Sequence, residues 1–218
     1  FFKKYFKVVT FDNRGVGKSD KPEGPYSTRM MADDTVKLMD YLEIKIAHIM
    51  GASMGGMIAQ EFAINYPERV SKLVLACTFA GKNVAGGDTA EQAELLKLSP
   101  TKMAARMAKL AVNKPFYRFV MGNMAMIQAI FSGASGDVGL ERQTAAVGSH
   151  NTLNRLASIS APTLVIVGTK DRIIEPASSD VIAKNIPGSA LIKVEGGSHM
   201  FFMEMKAVFN QKVFEILK

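Results

Sequence analysis

Ile46-Ala47-His48-Ile49-Met50-Gly51-Ala52-Ser53-Met54-Gly55 is the stretch that decides the fold of this chain. Residues 46–50 read as a short buried strand, and Met54 to Tyr66 reads as a helix that stops at Pro67. Between them lies a G-x-S-x-G pentapeptide, Gly51 to Gly55. A serine in so tight a strand-to-helix turn has its hydroxyl exposed at the strand end. The flanking glycines are expected because a side chain would clash there. The serine also opens a helix, where unpaired N–H groups and the helix dipole favour negative charge. Those are the requirements of a nucleophile that forms and stabilises an oxyanion.

A serine nucleophile needs a base, and the base needs an orienting acid. Only three histidines are present. His48 lies in the apolar strand and reads as a packed core residue. His150, among Gly148, Ser149 and Asn151, reads as a polar-loop residue. His199 follows the strand pattern Leu191 to Val194 and the turn Glu195-Gly196-Gly197-Ser198, and it precedes an expected helix over Phe201 to Lys218. That position, the carboxyl end of a strand, is where open α/β sheets bind ligands. Pro162 to Val167 is a continuous apolar run, the signature of a parallel strand buried on both faces, and Asp171 follows it directly. Glu175 precedes Pro176 at the start of the next helix, and Asp180 falls within that helix as a solvated residue. Ser53, Asp171 and His199 therefore stand in order, each at a strand end, in an α/β chain with a mostly parallel, doubly wound sheet.

In those pieces the sequence resembles the α/β-hydrolase superfamily, in its branch of small carboxylesterases, enol-lactonases and carbon–carbon bond hydrolases. The resemblance is carried by Phe11-Asp12-Asn13-Arg14-Gly15-Val16-Gly17-Lys18-Ser19-Asp20 and by Gly51 to Met57. It continues in Tyr66-Pro67-Glu68-Arg69-Val70, Gly168-Thr169-Lys170-Asp171-Arg172-Ile173 and Gly196-Gly197-Ser198-His199-Met200. It implies Ser53 as nucleophile, Asp171 as acid, His199 as general base and the Met54 N–H as an oxyanion donor. It implies a serine esterase acting through an acyl-enzyme on small to medium, mainly apolar carboxylic esters. An enol-lactonase or a carbon–carbon hydrolase would use the same triad, and a weakly catalytic small-molecule binder is a further alternative. Relatives that open epoxides or cleave carbon–halogen bonds carry Asp at the elbow, where this chain has Ser53.

The resemblance also divides the chain. Residues 1–81 and 151–218 are expected to form the core, and 82–150 an inserted helical cap. Helical patterns there run over Ala90–Leu98, Pro100–Val112 and Pro115–Phe131, with a looser helix after Gly139. Met103, Met107, Phe116, Phe119, Met121 and Met124, together with Met200, are expected to line an apolar substrate pocket, because such side chains adapt to irregular apolar shapes. Family members carry further strands and a His-Gly loop before the Asp12 segment, and that loop donates a second oxyanion N–H. This sequence opens at Phe1, just before an expected strand over 6–11. Three arrangements would complete the sheet: a preceding segment outside the given sequence, a second chain (including a homo-oligomer), or direct pairing of 6–11 with 46–50. Loss of one oxyanion donor costs roughly 100- to 1,000-fold in rate.

Composition narrows the remaining classes. A length of 218 residues with 48% hydrophobic and 22% charged residues suits one globular core. Asp12 to Ser19 ends like a phosphate-binding loop, but Asp12 stands where glycine is needed, and Pro22 and Pro25 forbid the helix that should follow. No cofactor is expected. Dispersed histidines and the single cysteine, Cys77, give no metal-ligand spacing. Cys77 is expected to be buried at a strand end, and one cysteine fits a reducing, cytoplasmic setting. No apolar run is long enough to span a membrane. The net charge of +7 gathers in Lys3, Lys4 and Lys7 and in Lys97, Lys102, Arg106 and Lys109, without aromatic interleaving. These read as solvated faces rather than a nucleic-acid surface, with a basic field able to steer anionic substrates.

Overall fold

The computed structural model describes residues 1–81, 100–115, 117–120, 123 and 138–218. Four strands, β1 (Ala47–Ala52), β2 (Val70–Ala76), β3 (Thr163–Gly168) and β4 (Ala190–Val194), form one parallel sheet in the order β1-β2-β3-β4. Leu75 of β2 lies beside Gly51 on one side and Val165 on the other, and Ile166 of β3 lies beside Ile192. β3 is buried throughout, as its continuous apolar run requires.

The helices cover both faces. α1 (Thr28–Tyr41), α2 (Met54–Asn65) and, after the described helices α3 (Pro100–Leu110) and α4 (Val138–Ser149), α5 (Ala177–Asn185) follow along the chain. On one face Met31, Phe62 and Ile182 meet Leu73, Leu75 and Val165. On the other, Phe201, Phe209 and Val213 meet Val74, Ala76, Leu164 and Ile166. Each of these side chains larger than alanine contributes roughly 1.5–3 kcal/mol when fully buried. Because side chains alternate across a strand, these two sets come from alternate residues of β2 and β3.

Helix ends follow their local chemistry. Ser27 caps α1, its hydroxyl accepting the Met30 N–H at 3.1 Å. α2 ends at Asn65, and Pro67 turns the chain into β2. The expected helix over 201–218 is instead two, α6 (Phe201–Glu204) and α7 (Lys206–Leu217), broken at Met205. α6 is held to the segment around Asn113 through Glu204, whereas α7 packs on β2 and β3, and Met205 takes up the change of direction.

The strand expected over 6–11 does not form, nor does it pair with β1. A strand exists only where a neighbour completes its ladder, and among the described residues the outer edge of β1 has no partner strand. The start of the chain follows aromatic contacts instead. Phe2–Lys4 forms a 3-10 turn, and Phe1, Tyr5 and Phe6 gather around Phe214 of α7. Val8, Val9 and Phe11 are left exposed.

The segment between β2 and β3 leaves and rejoins the sheet at one place, where Gly81 and Asn151 form an isolated antiparallel bridge. The expected helix over 90–98 lies outside the described residues. The last expected helix is observed as α4, which begins at Val138.

Candidate active site

The elbow after β1 is a strained turn. Ser53 has φ +54° and ψ −122°, a conformation a side chain disfavours by roughly 1–3 kcal/mol. Two contacts hold it there. The Ser53 N–H donates to the Ala76 carbonyl at 2.9 Å, and the Thr78 hydroxyl donates to the Ser53 carbonyl at 2.8 Å. The glycines differ in what they permit. A Cβ on Gly51 would lie 2.1 Å from the Gly55 carbonyl oxygen, and one on Gly56 would lie 2.6 Å from Thr78. A Cβ on Gly55 would meet nothing within 4 Å. The expectation that a side chain would clash at both motif glycines thus holds for Gly51 and fails for Gly55. Gly56 is the second constrained position.

The Met54 N–H is at the first position of α2 and finds no acceptor among the described residues, as the start of a helix dictates. It is available to an anion beside Ser53.

β3 and β4 bring the other two residues together. A Cβ on Gly168 would lie 2.3 Å from the Gly197 carbonyl oxygen, so the end of β3 and the turn after β4 touch through backbone. The Lys170 N–H donates to the Gly197 carbonyl at 2.8 Å. Asp171 then turns inward. Its Oδ1 accepts the N–H groups of Ile173 at 2.8 Å and Ile174 at 2.9 Å, and its Oδ2 lies 2.8 Å from His199 Nδ1. The Asp171 side chain is wholly buried, and that of His199 is 10% exposed. A carboxylate on Nδ1 selects the tautomer with its second lone pair on Nε2, facing away from Asp171.

Cys77 adjoins this pair. Its sulfur, an Asp171 oxygen and a His199 nitrogen lie within 4.8 Å of one another, and the Ser53 backbone reaches the same sulfur. Ser53, Asp171 and His199 are thereby gathered at one end of the sheet. Among the described residues, neither the Ser53 hydroxyl nor His199 Nε2 has a hydrogen-bond partner. Catalytic hydrogen bonds commonly close only with substrate in place.

The cluster of Cys77, Asp171 and His199 contradicts the expectation that no ligand set exists, because the fold joins residues far apart in sequence. Its chemistry is poor for a metal. Burial, followed by the charge of Asp171, pushes the Cys77 thiol well above its ordinary value and keeps it protonated. An ion would also have to displace the Asp171–His199 hydrogen bond.

His150 is a second correction. It does lie in the irregular link after α4, but it is 3% exposed and enclosed rather than part of a polar surface. Its Nδ1 lies 2.9 Å from the Thr28 hydroxyl and its Nε2 3.3 Å from that of Thr152, which donates at 2.6 Å to Gln60. Desolvation pushes its pKa down to about 4. His48 is half-buried against Phe6, with Nδ1 enclosed and unpartnered.

Of the expected pocket residues, Met107, Phe119 and Met200 are described with their side chains. Met107 of α3 and Met200 are half-buried, and the Met200 N–H donates to the Ala111 carbonyl at 2.8 Å. Phe119 is 72% exposed. Met103 lies on α3, and Phe116, Met121 and Met124 lie outside the described residues. The sequence reading missed Thr78, which carries no signal in its neighbours. It also missed Glu204, whose one signal is an acidic residue inside the apolar run Phe201-Phe202-Met203-Glu204-Met205.

The pattern of the alpha/beta hydrolase fold family matches residues 1–205. A poly(3-hydroxyalkanoate) depolymerase of Ectopseudomonas oleovorans is 32% identical over 90% of this chain and 70% of its own length. The 3-oxoadipate enol-lactonase 2 of Acinetobacter baylyi is 30% identical over 100% of this chain and 80% of its own. A solved hydrolase of Pseudomonas aeruginosa PA01 superposes with a TM-score of 0.81 at 30% identity, covering 98% of this chain and 80% of that one. The chain belongs to the alpha/beta hydrolase fold family, and among such relatives it is a hydrolase.

Proposed function

We propose that this hydrolase is a serine esterase. It cleaves carboxylic esters of small to medium, mainly apolar substrates through an acyl-enzyme on Ser53. The observation that carries this reading is the buried Asp171–His199 hydrogen bond, formed at the end of the sheet that also presents the strained Ser53. His199 Nε2 takes the Ser53 proton as Oγ attacks the ester carbonyl. The Met54 N–H donates to the oxyanion, and Asp171 stabilises the imidazolium. His199 then protonates the leaving alcohol, and water activated by the same nitrogen releases the acid.

Residues 82–150 act as the cap in this reading. The Gly81–Asn151 bridge supports it, since an insertion joined at one neck can vary without disturbing the sheet. Met103, Met107, Phe116, Phe119, Met121, Met124 and Met200 would supply the apolar wall. The setting we assign is cytoplasmic. The single cysteine fits it, and among the described residues no helix is long and apolar enough to cross a membrane.

A second reading, lactone hydrolysis, is favoured by the enol-lactonase likeness that spans the whole chain. A lactone is an internal ester, so the same atoms act and only the pocket differs.

The test is labelling with a fluorophosphonate, located by peptide mass spectrometry, followed by turnover of p-nitrophenyl esters and of lactones. Stoichiometric adduct at Ser53 is expected. Ser53→Ala and His199→Ala should each lower kcat by about 10⁴-fold or more. Binding of ester without turnover, unchanged in Ser53→Ala, would instead identify a small-molecule binder.

A further inference from the structure

Glu204 is 7% exposed and belongs to neither the triad nor the oxyanion site. Burying a carboxylate costs several kcal/mol unless donors surround it. A leucine or methionine would fill the same space, so the carboxylate has to be explained by its partners.

Those partners come from two places. Oε1 accepts the Lys114 N–H at 2.6 Å and the Asn113 N–H at 3.1 Å. Oε2 accepts the Asn113 N–H at 3.1 Å and the hydroxyl of Ser198, the residue before His199. The same two segments are tied three more times. The Lys114 ammonium donates to the Glu204 carbonyl at 2.7 Å, the Met200 N–H to the Ala111 carbonyl at 2.8 Å, and the Asn113 amide to the Gly196 carbonyl at 3.3 Å. Residues 196–204 carry His199, and residues 111–114 continue directly from α3.

We propose that Glu204 is a positioning residue for His199, its buried carboxylate clamping the His199 turn to the 111–114 segment so that the base and the end of α3 keep one fixed relation. This rests on the serine-esterase reading of Ser53, Asp171 and His199. Asp171 sets the imidazole tautomer through Nδ1. The start of the turn is held to β3 through Gly197, which touches Gly168 and accepts the Lys170 N–H. Ser198, fully buried and adjacent to His199, holds the remainder of the turn to the Glu204 carboxylate. A displacement of the imidazole by about 1 Å is enough to cost roughly 100-fold in proton transfer to and from Ser53. Because the amides of Asn113 and Lys114 are two of the three donors to the carboxylate, a shift of α3 is felt at His199.

The experiment compares Glu204→Gln, Ser198→Ala and the double variant with the wild type. It measures the fluorophosphonate labelling rate at Ser53, kcat and KM on one p-nitrophenyl ester, and the unfolding midpoint in urea, with rates expressed per folded molecule. Glu204→Gln is expected to label about 10- to 100-fold more slowly, to lose kcat by a similar factor, and to keep KM within about threefold. Ser198→Ala, which removes one donor, should show a smaller loss in the same direction. The double variant should be little worse than Glu204→Gln, since both changes open one clamp. A Glu204→Gln protein with a lowered midpoint but wild-type labelling rate and kcat overturns the proposal and leaves a structural role. If that variant does not fold, Ser198→Ala decides alone, and a wild-type rate there overturns it. A wild type that fails to label at Ser53 overturns the esterase reading and the clamp with it.

Discussion

At the residue scale the elbow separates two glycines that look alike in the motif. Gly51 faces the Gly55 carbonyl at a distance no Cβ tolerates, because the contact is backbone and neither side can turn away. Gly55 faces open space, and its φ is not positive. Gly51→Ala is therefore expected to lose several kcal/mol of stability, or to shift the elbow and abolish labelling at Ser53. Gly55→Ala should fold with stability equal to the wild type or up to about 1 kcal/mol higher, since alanine suits a helix better than glycine. Urea unfolding of the two variants checks the pair, and equal destabilisation would show that the turn is not held as described. Ser53 itself is kept in its strained conformation by Ala76 and Thr78, two residues of the neighbouring β2 segment. The strain is thus stabilised by the sheet rather than by the motif.

At the scale of elements, His150 ties α1, α2 and the end of α4 through Thr28, Gln60 and Thr152. Its folded pKa, about 4, lies below the ordinary 6.5. The unfolded chain then binds more protons than the folded one between those values, so stability falls as pH drops from about 6.5 toward 4 and no further below it. The full effect is at most about 3 kcal/mol. His150→Gln is expected to be weaker than the wild type at pH 7.5 by about 1–2 kcal/mol and to lose less on acidification. Urea midpoints at several pH values between 7.5 and 4.5 test this, and parallel curves would contradict it. This network also shows where sequence reading stops. β3 was legible as a continuous apolar run, and β1 as a shorter one, although the burial expected over 46–50 does not hold, since Ile46 and Met50 are exposed; Asp171 and His199 were legible because they follow β3 and β4. His150 was not legible, since its burial depends on Thr28, far away in sequence. Residues 6–11 were misread for the same reason: their composition favours a strand, but a strand needs a neighbour that composition cannot supply. Glu204 was hidden likewise, its partners lying around Asn113.

At the scale of the whole molecule, charge remains after the pairs are made. Arg14 with Asp34, Arg69 with Asp40, Arg155 with Glu61 and Lys193 with Asp180 neutralise one another locally. The excess of +7 remains, gathered in the sequence at Lys3, Lys4 and Lys7 and between Lys97 and Lys109, and it sets up a basic field. Such a field acts on encounter and is screened within about 10 Å at 0.1 M salt. In the esterase reading it leaves the chemical step unchanged, because Ser53 lies at a sheet end beside the buried Asp171 and His199. In the esterase reading its effect should appear in kcat/KM and not in kcat. An ester carrying a remote carboxylate is expected to show kcat/KM several-fold higher at about 10 mM than at 500 mM salt, while a neutral ester of the same acyl group stays within about twofold. Steady-state kinetics on the two substrates across that range provide the check. Equal salt dependence for both would assign the excess lysines to solvated faces alone.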